Sequence, residues 1–356
     1  MPHTPLSLLA TIDPVLRDCA AFDLVVSEPA TYALIHSISD DLTQARHLVL
    51  GEQGVVEDYW TELNPGCFGC AVAADAIEAL AALLATGMGR QVAYFAPLGF
   101  DPMPLARTIG QAVGEGALAA RLASVGAIVD TRASVAELLE PLTLSERNIA
   151  SDAPERSVGE ALLAQLSYAD LIIAHGGDGA GGELVEHLRA HDTLLTEDLH
   201  GGAVHPLVFG GEHDALAAFA RVDPIAIQPW GGPSEHGTWT LDLHSPRPFH
   251  PARLLENIEL LGTGELVHRG RFWVPSRPDA VCSWDGAGGQ VSVGIAGMRG
   301  GHGQGSTRLV VTGRGSERER LTRAFADSLL TEAELAREPE SWLGEDALEP
   351  WLGAAS

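Results

Sequence analysis

A chain of 356 residues, 46% apolar and 6% aromatic, has an ordinary globular composition and the length of about two domains. Its formal charge of −26, from 48 acidic against 22 basic side chains, repels phosphate backbones and excludes a broad nucleic-acid surface. The same charge favours cations and basic protein partners.

Over the first 222 residues short apolar runs alternate with Ala/Leu-rich helical stretches. This is the α/β pattern of a mostly parallel sheet with helices on both faces. Residues 6–10, 31–35 and 47–50 read as the first strands. A helix follows over 73–84, where Ile77, Leu80, Leu83 and Leu84 recur at helical spacing. Next come a strand at 92–95, a helix at 102–112, a strand at 127–130 and helices at 134–139 and 158–166. A strand at 171–174 and a helix at 183–188 complete the series. Residues 223–237, DPIAIQPWGGPSEHG, are rich in Pro and Gly and form the expected linker. Beyond it 238–244 alternates as a strand, and 250–261 is a helix with Leu254, Leu255, Ile258 and Leu261 on one face. Short strands at 271–274, 281–284, 290–295 and 309–312 and a closing helix at 317–329 make a smaller α+β domain over 238–335. Phe249, Phe272, Trp273 and Trp284 are spaced for its core, and Arg247, Arg271 and Arg277 are exposed candidates for a carboxylate or partner contact. Residues 294–305 read as a flexible loop, and 336–356 as a tail.

No apolar run reaches the ~18 residues that span a bilayer. The start, MPHTPLSLLATIDP, lacks the basic n-region and cleavage site of a secretory signal. Four cysteines, two of them in one CxxC, suit a reducing compartment better than a disulfide framework. A cytoplasmic protein without membrane partners is expected.

The CxxC is Cys67-Phe68-Gly69-Cys70. Two thiolates at this spacing can share one Zn²⁺, but a closed tetrahedral site needs two more ligands. A reducible or purely structural CxxC, its thiol pKa lowered by a helix N-terminus, is the competing reading. Nine of the 14 histidines fall between His175 and His250. His200, His205, His213 and His236 stand in loop-like context, and imidazole suits Zn²⁺. Cys19 and Cys282 read as buried thiols. No Ser-His-Asp set, HExxH, GxSxG or paired carboxylates stand out.

Several stretches together carry a family likeness. RPFHPARLLENIELL and GRFWVPSRPDAVCSWDGAGG lie between Arg247 and Gly289, followed by RLVVTGR (308–314), SLLTEAEL (328–335) and the late EPW (349–351). They resemble the C-terminal domain of the CobW-type GTPases, metal-handling P-loop proteins. The segment from Glu62 to Cys70, ELNPGCFGC, resembles that family's metal-site loop, with Gly69 for its middle cysteine and Pro65 inserted. By this resemblance Glu62 is a third zinc ligand beside Cys67 and Cys70.

The resemblance implies a P-loop GTPase-like domain over 1–222, but its nucleotide motifs are degraded. A P-loop needs a Gly-rich turn and a Lys on the phosphates. Here the first strand runs into DPVLRDCAAFDL, with Arg17 the nearest cation and Asp13 and Asp18 where triphosphate would go. Like charges at that range cost several kcal/mol in a partly buried site. Phe95 or Ala96 stands in place of the Walker-B acid, while Asp101 belongs to the following turn. The guanine-reading NKxD is replaced by His175-Gly176-Gly177-Asp178, leaving Asp178 as a vestigial guanine contact. GTP and Mg²⁺ are therefore not expected, and zinc is. The GCxxC to FDPMPL stretch further resembles an actinobacterial branch implicated in zinc starvation, which helps deliver a hibernation factor to ribosomes. The expected function is a zinc-responsive pseudo-GTPase adaptor for a basic partner, a hibernation factor or ribosomal proteins. The alternative is a zinc or cobalt metallochaperone that hydrolyses GTP.

Overall fold

The computed structural model describes residues 3–353 apart from 65, 88, 178, 198, 200–201, 299–304 and 343–346. They divide into two compact units, Met1–Val135 with Leu142–Val222, and Ala136–Pro141 with Asp223–Ser356.

The first unit runs β1 (Thr4–Ala10), α1 (Pro14–Ser27), β2 (Thr31–Ile38), β3 (Gln44–Gly51), β4 (Gly54–Glu62), α2 (Phe68–Ala85), β5 (Gln91–Phe95), α3 (Pro102–Gly114) and β6 (Ala120–Asp130). It continues with α4 (Ser134–Leu139), α5 (Val158–Tyr168), β7 (Leu171–His175), α6 (Ala180–Leu188), β8 (Leu194–Thr196), α7 (Val204–Phe209) and α8 (Ala215–Val222). The eight strands form one sheet in the order β4-β3-β2-β5-β1-β6-β7-β8. All neighbours from β2 to β8 are parallel, and only β2/β3 and β3/β4 are antiparallel. The α/β class and the mostly parallel sheet are as the sequence pattern predicts.

Strand periodicity sorts the core into two layers. Leu6, Leu8, Leu34, Val92 and Tyr94 face one way, against Ala76, Leu80 and Leu83 of α2 and Leu105 and Ile109 of α3. Leu9, Ala33, Ile35, Ala93 and Phe95 face the other way, against Leu16, Ala20, Leu24 of α1 and Val208 of α7. Close approach is enforced at α6, where a Cβ on Gly181 would meet the Thr131 carbonyl oxygen at 1.7 Å, so only glycine fits.

Among the described residues α2 alone is long and apolar enough to cross a membrane, so the run denied by inspection of the sequence does exist. It carries Asp75 and Glu78, and six of its 18 residues, Ala76 and Leu80 among them, are buried against the sheet, so one face packs and the others do not. In the first unit five elements escaped the sequence reading: α1, β4, β8, α7 and α8. The edge strand β4 has seven of nine residues exposed, so it lacks an apolar alternation.

The second unit contains β9 (Thr238–Ser245), α9 (Pro251–Gly262), β10 (Leu266–Phe272), β11 (Ala280–Gly286), β12 (Ser292–Met298), β13 (Thr307–Arg314), α10 (Arg318–Ser328) and α11 (Glu332–Leu335). Its five strands pair antiparallel in the order β12-β11-β10-β13-β9. Phe249, Phe272 and Trp284 meet Leu254 and Leu261 of α9 and Leu321 and Phe325 of α10 in one core. Part of the expected 294–305 loop is strand β12, and 299–304 lie outside the described residues. Thr331 opens α11 with a capping box closed by Glu334, whose carboxylate also takes both ends of the Arg253 guanidinium at 2.7 Å.

Three arginines expected to be exposed for a carboxylate or partner contact are used internally. Arg247 donates to the Leu330 carbonyl at 2.9 Å, and Arg271 faces Asp223 at 3.4 Å. Arg277 is buried and donates to the carbonyls of Leu352 and Gly353. Cys282 is buried as expected, but Cys19 is exposed on the outer face of α1.

Candidate metal centre

The turn from β1 to α1 consists of Thr11, Ile12 and Asp13. Asp13 is the N-cap, and its Oδ1 accepts the backbone N–H of Val15 at 2.7 Å and of Leu16 at 3.0 Å. Pro14 at the first helical position contributes no N–H. The amides that a P-loop directs at phosphate are thus already engaged by a carboxylate of the chain itself. Thr11 is occupied as well: its hydroxyl accepts from Asp13 N–H at 3.1 Å, and its carbonyl accepts from Gly99 N–H at 3.1 Å. Arg17 donates to Asp18 at 2.9 Å and Ser37 at 3.2 Å. All 22 basic side chains are arginines, so the chain holds no lysine for the β/γ-phosphates.

The other two nucleotide positions are equally altered. Phe95 and Ala96 are buried at the end of β5, and Asp101 caps α3 by accepting from Met103 N–H at 3.0 Å. Asp178 lies outside the described residues.

Cys67 is the N-cap of α2, and its Sγ accepts the Cys70 N–H at 3.3 Å; both thiols are exposed. Hydrogen bonds from the Cys70 side chain and backbone pull the Cys67 thiol below its ordinary pKa. The Cys70 thiol, hydrogen-bonded to Cys67, is pushed up. The pair opens on a groove of about 340 Å³ shared with Phe100, Asp101, Asp152 and Arg156. Glu62 ends β4 and is exposed. Glu62, Cys67 and Cys70 do not form a set whose ligand atoms all lie within 4.8 Å of one another.

The histidines proposed to complete this site are held elsewhere. His205 sits against Thr31 and Gln91, at the N-terminal ends of β2 and β5, with its ring tilted against Phe209 at 4.8 Å. Burial pushes its pKa down. His213 donates its backbone N–H to Leu122 at the N-terminal end of β6, and its Nδ1 lies 2.7 Å from Asp170. In a parallel sheet that edge is opposite the one beside the CxxC, where Phe68 meets Phe100 beyond the end of β5. Strand length therefore separates His205 and His213 from the cysteines. His200 lies outside the described residues.

The sequence reading missed a third group, His36 on β2, His47 on β3 and Asp75 on α2. Their ligand atoms all lie within 4.8 Å of one another, the only such set of His, Cys, Asp or Glu among the described residues. His36 and His47 are direct partners in the β2/β3 register, so their side chains share one sheet face. Nε2 of each points at Asp75 Oδ2, at 3.1 Å from His36 and 2.8 Å from His47. Thr61 Oγ donates to Asp75 Oδ1 at 2.6 Å, Tyr94 Oη lies 2.8 Å from His36 Nδ1, and Tyr59 stacks on His47 at 5.0 Å. Burial depresses the His36 pKa and so favours neutral imidazole. For Asp75 burial acts upward, but the adjacent His36 and His47 nitrogens and the Thr61 hydroxyl outweigh it and hold the carboxyl well below the usual range.

The family model described as "Cobalamin synthesis protein cobW C-terminal domain" matches residues 238–329. The chain is 27% identical over 264 residues to the zinc chaperone Rv0106 of Mycobacterium tuberculosis (strain H37Rv) and to the uncharacterized protein Mb0109 of Mycobacterium bovis. The match covers 69% of this chain and 62% of either relative. Among solved structures it is similar to the Zn(II)-bound YjiA GTPase of E. coli, with 14% identity and a TM-score of 0.36 over 92% of this chain and 99% of that one. A Zn(II)-bound triple mutant of the same GTPase gives 16% identity and 0.37 over the same shares. Residues 238–329 thus match the CobW C-terminal domain.

Proposed function

We propose that this chain is a zinc-handling CobW-type protein that works without GTP turnover, as a zinc-responsive adaptor for a basic protein partner. The observation that carries this reading is the self-capped turn: the Asp13 carboxylate holds the first free amides of α1, and no lysine exists to replace it. The exposed Cys67/Cys70 pair, with one thiol already eased toward thiolate, supplies two zinc ligands. The acidic surface suits a basic partner, and the sequence resemblance suggests a hibernation factor or ribosomal proteins. A pull-down from zinc-starved cells recovers these under the adaptor reading, and recovery of neither would end it.

Calorimetric titration with GTP·Mg²⁺ is expected to give no saturable heat and no released phosphate. Saturable binding followed by phosphate release would return the chain to the enzymes. In a Co²⁺ titration the wild type should develop a thiolate-to-metal charge-transfer band, and Cys67→Ser/Cys70→Ser should lose it. Losing two ligands should weaken that site by more than the roughly 10–100-fold typical of outer-shell changes. An unchanged band would remove the CxxC from the site. The second reading, a metallochaperone GTPase, is favoured by the relative named a zinc chaperone, and the GTP titration separates the two.

A further inference from the structure

We infer that His36, His47 and Asp75 form a second metal site, buried under α2, for a small divalent transition ion such as Zn²⁺. The inference stands apart from the CxxC and does not depend on it. Both imidazole side chains are fully buried and the Asp75 side chain is 10% exposed. Although His36 Nε2 and Asp75 Oδ2 lie 3.1 Å apart, both atoms are buried and satisfy no hydrogen-bond geometry. His47 reaches the same carboxylate oxygen with Nε2 at 2.8 Å, and that nitrogen also lies 3.2 Å from Thr61 Oγ. Such orphaned polar atoms are costly in a protein interior and call for a missing counterpart.

A cation between the rings and the carboxylate supplies that counterpart. Zn–N and Zn–O bonds of about 2.0–2.2 Å place tetrahedral ligands about 3.3–3.6 Å apart. The two edges at Asp75, 3.1 and 2.8 Å, need to open by about 0.2–0.5 and about 0.5–0.8 Å. The supports of a metal site are also in place. Tyr94 Oη holds His36 by Nδ1, and Thr61 holds Asp75 by Oδ1, which leaves His36 Nε2 and Asp75 Oδ2 to the ion. All three ligands stand on strands or a helix, which keeps their geometry stiff. Two imidazoles and one carboxylate suit zinc and exclude a hard all-oxygen cation. Three protein ligands leave a fourth position open, as in sites that exchange a ligand.

The test uses the full chain carrying Cys67→Ser/Cys70→Ser, so that no CxxC thiolate can contribute. It should bind one equivalent of Co²⁺ with ligand-field absorption and no thiolate charge-transfer band, and Zn²⁺ should displace it. Adding His47→Gln or Asp75→Asn should weaken binding at least about 100-fold. Zn²⁺ should raise the unfolding temperature of the double-serine protein and leave that of the His47→Gln protein unmoved. The inference is overturned if the folded double-serine protein takes up no metal, or if His47→Gln and Asp75→Asn bind it as before. Should both variants misfold, X-ray absorption of the zinc-loaded double-serine protein decides: two imidazoles in the ligand shell support the site, and fewer refute it.

Discussion

Phe249→Ala is expected to destabilise the second unit by about 3–5 kcal/mol, the range for truncating a fully buried aromatic. The ring is 0% exposed and lies 5.5 Å from Phe272 and 5.3 Å from Phe325. Phe272 in turn meets Trp284 at 6.2 Å, so one side chain joins the sheet to α10. Each aromatic pair adds about 0.5–1.5 kcal/mol beyond area burial, and the alanine variant loses two of them. The Phe249 backbone, bonded to the Trp273 carbonyl at 3.1 Å, resists the collapse that could fill the void. Urea unfolding followed by tryptophan emission reads this unit through Trp239 and Trp284, both buried in its core. A loss below about 1 kcal/mol would contradict the packing, since even good volume-conserving swaps cost up to about 1.5.

Asp170→Ala should cost the first unit about 3 kcal/mol, the scale for breaking a buried charge pair from one side. Asp170 Oδ2 accepts Val125 N–H at 2.8 Å and lies 2.7 Å from His213, while Oδ1 takes Arg221 at 2.7 Å. Arg221 reaches on to Asp192 at 2.9 Å, so removing the carboxylate strands groups on β6 and α8. Burial alone would raise the Asp170 pKa, but hydrogen bonds to His213, Arg221 and Val125 outweigh it and the net shift is downward. A depressed carboxylate stabilises the fold above its unfolded pKa, about 3.9. That contribution fades as pH falls through the folded value. The deficit of Asp170→Ala against wild type should therefore be full at pH 7 and shrink below about pH 4. A deficit independent of pH over that range would show that the carboxylate's ionisation does not matter here.

What could be read in the sequence follows from how each element meets solvent. β1, β2, β5 and β7 are buried on both faces, and their continuous apolar runs stand out from sequence. β4 is an exposed edge strand, and VVEDYWTE has no such run. α1 carries its own start signal in Asp13-Pro14, an N-cap followed by proline at the first helical position.

The candidate site was half legible. The CxxC is a local motif, so its position at a helix start needed no tertiary knowledge. His36 and His47 are solitary histidines in apolar strands, eleven residues apart, and only the register about the Ser39–Thr43 turn sets them face to face. The cluster of histidines after His175 drew attention by number, yet His205 and His213 are committed to the opposite edge of the sheet.

The Asp13 cap has a further consequence for any attempt to restore nucleotide binding. A free anion approaching α1 competes with a rival fixed to the same backbone, whose effective concentration is in the mM range or higher. Grafting a lysine onto the turn would leave that tethered competitor in place. Only removal of the carboxylate together with insertion of a glycine-rich loop would vacate the helix end, so the path back to a nucleotide switch passes through several simultaneous changes, each costly alone.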